Sequence, residues 1–420
     1  MMERYSEYKD SGVKWLGEIP SHWEVFRNKD IFHECKKSVG KNSNNYTLLS
    51  LSKKGVVIRN MDDGGKFPAE FDTYKVVEPG DFIFCFFDVD ETPRAVGLSS
   101  EYGMITGAYT VLRQSIANSQ YLYYYYLSID DAKALKPLYT GLRKTVPLNA
   151  FMSMQIFLPP KAEQDAIVRY LDTATSEIDK AIAMQQKMID LLNERKQIII
   201  KNAVTKGLDE NVEMKESGVE WIGKIPKHWE VRRGKFLFRV VNEYSTTGQE
   251  ELLTVSDRTG ITPRSMKNVN MFMSESLIGY KKCQKGDICS NIMWMWHGAV
   301  GVTEYNGVIS PSYGVYRQIA VNYDNKYLDY MLRLPRLVEV YGICSTGLTE
   351  SRLRLYPDDF MNIQFFIPPV EEQKSIVLQI QKQITDIEKS IRNAENLITL
   401  LQERKQIIIN EVVTGKVRVS

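Results

Sequence analysis

The sequence predicts an α/β fold with a pseudo-two-fold internal repeat: two mixed α/β domains separated by two long antiparallel coiled-coil helices. Three observations carry that reading. Residues 9–25, KDSGVKWLGEIPSHWEV, return at 215–231 as KESGVEWIGKIPKHWEV, an offset of 206, and a repeat of that length marks a duplicated unit. Two helix-forming stretches, with LLNERKQIII and LLQERKQIII inside them, stand 209 residues apart with the same heptad pattern. Each half also holds short apolar runs broken by glycine turns, in which scaffold strings match while the residues between them differ. The predicted boundaries are 1–158 for the first domain, 159–206 for the first helix, 207–367 for the second domain and 368–420 for the second helix.

In chain order, Trp15 and Trp23, matched by Trp221 and Trp229, can pin a loop to a domain surface, with Gly12, Gly17 and Pro20 setting its turns. This segment reads as a structural clamp. His22 and His228 each stand in Pro-x-His-Trp with no Cys or second His at ligand spacing, whereas zinc needs clustered ligands. Downstream, LLSLSKKGVVIR (48–59) parallels LLTVSDRTGITPR (252–264) as strand, polar turn and strand. EPGDFIF and QKGDICS place Gly80-Asp81 and Gly286-Asp287 at equivalent turns before apolar strands. YLYYYYLSI and YLDYMLRL read as helices whose aromatic faces belong to the core, and TGLRKTVPL and TGLTESRLRL as polar loops before a final strand.

Each domain closes on FLPPKAEQDAIV or FIPPVEEQKSIV, where the double proline ends a strand and the Glu-Gln pair favours helix initiation. The helix that follows carries Ile178, Ile182, Ile189, Leu192, Ile199 and Ala203 in a four-three alternation, with Gln185 and Lys196 filling two slots. Moving 209 residues along gives Ile387, Ile391, Ala394, Ile398, Leu401, Lys405, Ile408 and Val412. Two seams in one register pack naturally against each other, antiparallel if a pseudo-two-fold axis relates them. About 30 residues at 1.5 Å each make a rod of about 45 Å, a ruler between whatever sits at its ends. The polar seam residues can set register or mark where a third protein packs. Since the second clamp follows the first helix, the repeat is cyclic, and the two termini are expected near one another.

At 420 residues the chain is expected to hold at least two cores. A hydrophobic share of 43% and a net charge of +2 are ordinary for a soluble protein, so any nucleic-acid contact must come from local patches or from a partner. Without an 18-residue apolar run or a signal-like start, a cytoplasmic location is expected. The five cysteines form no CxxC pair and are expected reduced. Motifs for chemistry are missing too. There is no GxxxxGK[ST] phosphate loop and no Asn/Asp-Pro-Pro-aromatic string of amino-methyltransferases, since Lys161 and Val370 follow the double prolines. Asp358 and Asp359 lack a Glu-x-Lys partner, and His22, His33, His228 and His297 form no triad pattern.

With these features the chain resembles the specificity subunit of type I restriction-modification systems, in the tandem layout, the paired SGVxW(L/I)GxIPxHWEV segments, the PPxxEQ helix starts and the LLxERKQIII helices. The likeness covers nearly the whole chain. It implies two target recognition domains, each reading half of a bipartite double-stranded DNA sequence. It implies helices that space them and dock two methyltransferase subunits, with restriction and translocase subunits joining. It also implies a non-catalytic chain with no cofactor of its own. S-adenosylmethionine, ATP and Mg²⁺ would act in the partners, which methylate adenine N6 and cleave DNA.

Half-sites one helical turn apart, ~34–36 Å, suit a reader of the rod's length. Diverged loops predict an asymmetric target. Arg pairs with guanine and Asn with adenine, while Lys holds phosphate, so the candidates are the polar residues on diverged turns. In the first domain these are Lys53, Lys54, Arg59, Asn60, Arg94, Arg143 and Lys144; in the second, Arg258, Arg264, Lys267, Asn268, Arg352 and Arg354. Competing readings are a single-chain methyltransferase or nuclease, which would turn over unaided, and a coiled-coil adaptor that never meets DNA.

Overall fold

The computed structural model describes residues 3–60, 68, 70–141, 144–267, 276–349 and 352–419. Two compact units result, Met1–Lys187 with Ala394–Ser420, and Met188–Asn393. Each takes one half of each long helix.

Unit 1 is built on a four-stranded antiparallel sheet in the order Phe32–Glu34, Thr110–Gln114, Phe82–Phe84, Val96–Leu98. Unit 2 repeats it with Phe238–Val240, Gly314–Gln318, Ile288–Ser290 and Val300–Val302. The two Gly-Asp turns explain part of this. Gly80 and Gly286 take φ of 91° and 93°, a left-handed turn that suits glycine. Each following aspartate is buried and grips an arginine of the middle strand through two bonds: Asp81 holds Arg113 at 2.7 and 3.0 Å, and Asp287 holds Arg317 at 2.7 and 2.8 Å. A buried carboxylate persists because its charge is paired and bonded.

The predicted tyrosine helix spans Ser119–Asp131, and Tyr121, Tyr124, Tyr125 and Tyr126 lie in the core of unit 1. Its counterpart Asn325–Leu332 buries Tyr327. Short helices, Leu148–Ser153 and Pro357–Asn362, stand between each polar loop and the final strand, and unit 2 adds the helix Pro335–Cys344. Segments this short carry too little periodicity to separate from loops. The final strands, Gln155–Leu158 and Gln364–Ile367, pair with the strands after each clamp, Glu24–Arg27 and Glu230–Arg233.

The long helices run Lys161–Lys206 and Val370–Val413. Seam residues Ile178, Ile189, Ile387, Ala394 and Val412 are buried, the remaining seam positions half-buried. In unit 1, Ile167 and Leu171 share a core with Ile409, Val412 and Val413, and Asp179, farther along the first helix, meets Lys405 at 2.7 Å. In unit 2, Ile200 and Val204 join Ile376, Val377 and Ile380, and Lys196 meets Glu388 at 2.6 Å. Within each unit the helix halves are therefore antiparallel. The two seam lysines set register by ion pairs, and moving 209 residues carries Asp179 to Glu388 and Lys196 to Lys405.

The clamps dock on the helix starts. Glu163 Oε1 accepts from the Tyr5 hydroxyl at 2.7 Å and from Trp23 Nε1 at 3.1 Å, and its Oε2 lies 2.8 Å from His22 Nε2. In unit 2 a single oxygen, Glu372 Oε2, meets both His228 Nε2 at 2.7 Å and Trp229 Nε1 at 3.1 Å. The neighbouring glutamines are buried: Gln164 donates to the Pro159 carbonyl and accepts from Asn118 N, while Gln373 donates to Pro368 and accepts from Asp324 N. Thus the Glu-Gln pair joins clamp, domain and helix, and both clamp histidines are hydrogen-bonded to it. Gly207 and Gly415, at φ of 77° and 73°, end the long helices against Trp229 and Trp23 respectively. Beyond Gly415, Arg418 N donates to the Glu3 carbonyl at 2.8 Å, so the two ends of the described chain meet in unit 1. All five cysteines are free, and Cys85, Cys283 and Cys289 are buried.

Candidate nucleic-acid interface

Three loops converge in each unit. The first is the tip of a hairpin, Leu49–Ser52 with Gly55–Ile58 in unit 1 and Leu253–Ser256 with Gly260–Pro263 in unit 2. Ser52 Oγ accepts from Lys54 N and Ser256 Oγ from Arg258 N, and Gly55 and Gly260 supply the positive φ that lets the chain reverse. The second loop spans 85–95 or 291–299, between the third and fourth strands of the main sheet as ordered above. Closing the third loop, 140–145 or 346–354, Thr140 N donates to Thr145 at 3.0 Å and Thr346 N to Arg354 at 2.9 Å. The second and third loops are sewn together where Val146 N donates to Phe86 at 2.7 Å and Leu355 N to Ile292 at 3.0 Å. In unit 1 the hairpin lies over the strand leaving the second loop, so that a Cβ on Gly97 would meet Leu51 and Val56 at 2.7 Å. In unit 2 the contact is direct: His297 Nδ1 lies 3.2 Å from Asp257 Oδ2 at the hairpin tip.

The predicted site residues divide across this surface. Lys53, Lys54 and Arg258 sit exposed on the hairpin tips, and Lys144, Arg352 and Arg354 on the third loops, with Arg354 half-buried. Arg59, Asn60, Arg264 and Lys267 lie at the far end of each hairpin, roughly 15 Å from the tip at ~3.3 Å per residue. Lys267 and Arg264 are half-buried there, and Arg264 N donates to the Leu252 carbonyl. Arg94 is mostly buried, bound to Asp130 at 3.2 Å and Asp131 at 2.9 Å, and ties the second loop to the tyrosine helix. Arg143 and Asn268 lie outside the described residues.

Charge differs between the copies. In unit 1 the second loop is acidic: Lys144 Nζ lies 2.7 Å from Glu91, which raises the lysine's pKa, and the Tyr139 hydroxyl donates to Asp90 at 2.8 Å and holds that carboxyl below its usual range. The second loop of unit 2 is aromatic, with Trp294, Trp296 and His297. Sequence reasoning passed over both tryptophans and took His297 only as belonging to no triad, although WMWH is an unusual string for a polar turn. It also passed over a second apolar stripe on the helices, Leu191 and Ile198 in unit 2 and Leu400 and Ile407 in unit 1, all exposed. Their seven-residue spacing beside the buried seam was the available signal.

Among the described residues no group of His, Cys, Asp or Glu could hold a metal ion. No described helix is long and apolar enough to cross a membrane. No family model matches the sequence. Over 452 aligned residues the chain is 24% identical to the putative type I restriction enzyme MjaX specificity subunit of Methanocaldococcus jannaschii, covering 98% of each chain. It is 25% identical to the type I restriction enzyme MjaVIII specificity subunit of the same organism over 285 residues, 64% of this chain and 63% of that one. Among solved structures, a chain from work on complex assembly and conformational transition of the type I R-M system superposes with a TM-score of 0.65 at 14% identity, over 94% of this chain and 98% of that one. The HsdS subunit from Thermoanaerobacter tengcongensis gives a TM-score of 0.48 at 16% identity, over 95% and 98%. By a curated likeness that runs from end to end and a shared two-unit fold, the chain is similar to the specificity subunits of type I restriction-modification systems.

Proposed function

We propose that this chain is the DNA-reading subunit of a type I restriction-modification complex, recognising an asymmetric bipartite duplex with one half-site per unit. The observation that carries it is the doubled three-loop surface: one scaffold with different side chains at the tips, as expected when two readers of separate sequences descend from one. Lys53, Lys54 and Lys144 in unit 1 and Arg258, Arg352 and Arg354 in unit 2 are the groups best placed to meet phosphate or base edges. Target recognition domains then correspond to 1–158 and 207–367. The long helices are the spacer, and the chain works in the cytoplasm, where its DNA is.

Two methyltransferase subunits are the proposed occupants of the exposed apolar stripes, one at Leu191 and Ile198 and one at Leu400 and Ile407. Exposed leucines and isoleucines at heptad spacing on a stable helix suit a partner helix. The restriction subunits join that assembly. S-adenosylmethionine and ATP chemistry would stay in the partners, and each half-site would be offered so that an adenine can be flipped into a partner's pocket. The test is duplex binding by the complex reconstituted with its methyltransferase partner, across a salt series. A steep linear fall of log K with log salt is expected from phosphate contacts. Absence of duplex affinity at every salt concentration would leave the adaptor reading.

A further inference from the structure

In unit 2 the second loop brings a pair of tryptophans to the three-loop surface. Trp294 is 53% exposed, a large apolar ring held out in water. It is not loose. Its ring stacks on Trp296 with centroids 5.9 Å apart and 17° between planes, and His297 stands edge-on to both at 6.0 and 5.4 Å. Trp296 Nε1 donates to the Met293 carbonyl at 3.1 Å, and Asn291 Oδ1 accepts from Met293 N at 3.1 Å. The loop closes with Ala299 N donating to the Trp294 carbonyl, and with Gly298 at φ 92°. On the hairpin side, Arg333 Nη2 donates to the Asp257 and Arg258 carbonyls, fixing the turn that His297 touches. Holding an exposed indole this rigidly removes most of the entropy cost of using it in a contact.

We propose that Trp294, backed by Trp296 and His297, is a stacking wedge of unit 2 that lies against an exposed base face of its DNA half-site. This rests on the DNA-reading function proposed above. Two observations favour nucleic acid over a protein partner. Arg258 is exposed on the adjoining turn, and Arg352 is exposed on the loop whose Leu355 bonds Ile292, so the aromatic face is flanked by guanidinium groups, a combination suited to bases and phosphates. The equivalent loop of unit 1 also has a different chemistry, with Phe87 stacked on Tyr109 at 5.9 Å beside Asp90 and Glu91. A face used by the same partner on both units would be kept alike in the two copies, whereas a face that reads two different half-sites must differ.

The experiment takes the full chain reconstituted with its methyltransferase subunits, and duplexes bearing the bipartite site found by methylation mapping, either intact or with one half scrambled. Trp294→Ala is expected to weaken binding of the intact duplex at least about fivefold, the lower end of one lost base stack. It should also shrink the penalty for scrambling one half-site by a similar factor while leaving the other penalty as in wild type; Trp294→Phe should restore most of both. Trp294→Ala binding within twofold of wild type, with both penalties retained, overturns the wedge. So does a variant that keeps its thermal midpoint but no longer assembles with the methyltransferase, because the face is then a protein interface. If the wild-type complex shows no preference for the intact duplex, the function itself is wrong and the wedge falls with it.

Discussion

Glu163 and Glu372 show how a single residue ties together the parts of its own unit. Each carboxylate joins the first turn of a long helix to a buried tryptophan and a clamp histidine. Replacing Glu372 by Ala leaves Trp229 Nε1 without its partner, and loss of about 1–3 kcal/mol is expected for a buried donor so orphaned. Chemical denaturation of the two proteins side by side measures it, and a shift under a few tenths would contradict the assignment. Glu250 gives a pH signature. Bonds from Ser245 and Lys282 lower its pKa from 4.5 to about 2. Its stabilisation is complete above its ordinary pKa and is lost as pH falls through the folded value. Glu250→Gln should therefore melt earlier than wild type at pH 7 and converge with it toward pH 2, which a melting series over pH would reveal. At this scale His22 was legible as structural because no second ligand stood near it in sequence, although its actual partner, 141 residues away, was not. Arg94 and Lys53 looked alike as isolated charges; only the fold shows one bound to two aspartates and the other on an open turn.

Among the elements, the long helices were the most legible, because a seven-residue apolar period over many turns has few structural solutions. The lysines in that seam were ambiguous until Asp179 and Glu388 stood opposite them. These ion pairs are part-exposed, so a double-mutant cycle on Asp179 and Lys405 should return a coupling below about 1 kcal/mol. Their use is alignment. The outer stripe through Leu191 and Ile198 escaped notice since the inner seam already accounted for the helix. Leu191→Glu with Ile198→Glu should leave the thermal midpoint nearly unchanged yet cut recovery of one methyltransferase subunit in co-purification; retention of both would exclude the stripe as a docking surface. The three-loop surfaces were legible only as places where the copies diverge, for turn residues carry no periodicity to say which loops will meet.

For the whole molecule, the proposed function makes the distance between half-sites part of what is recognised. Arg258 belongs to unit 2 alone, so Arg258→Ala should relax reading of one half-site and leave the other intact; equal loss at both would contradict independent readers. Lengthening both long helices by seven residues adds about 10 Å to the spacer and should widen the gap between half-sites by about three base pairs. The most direct test of the account is to map methylated adenines across the host genome with the gene present, deleted and restored. The account predicts two short, dissimilar half-sites at one fixed gap, lost on deletion and regained on restoration. A continuous or palindromic motif, or methylation indifferent to this gene, would contradict it.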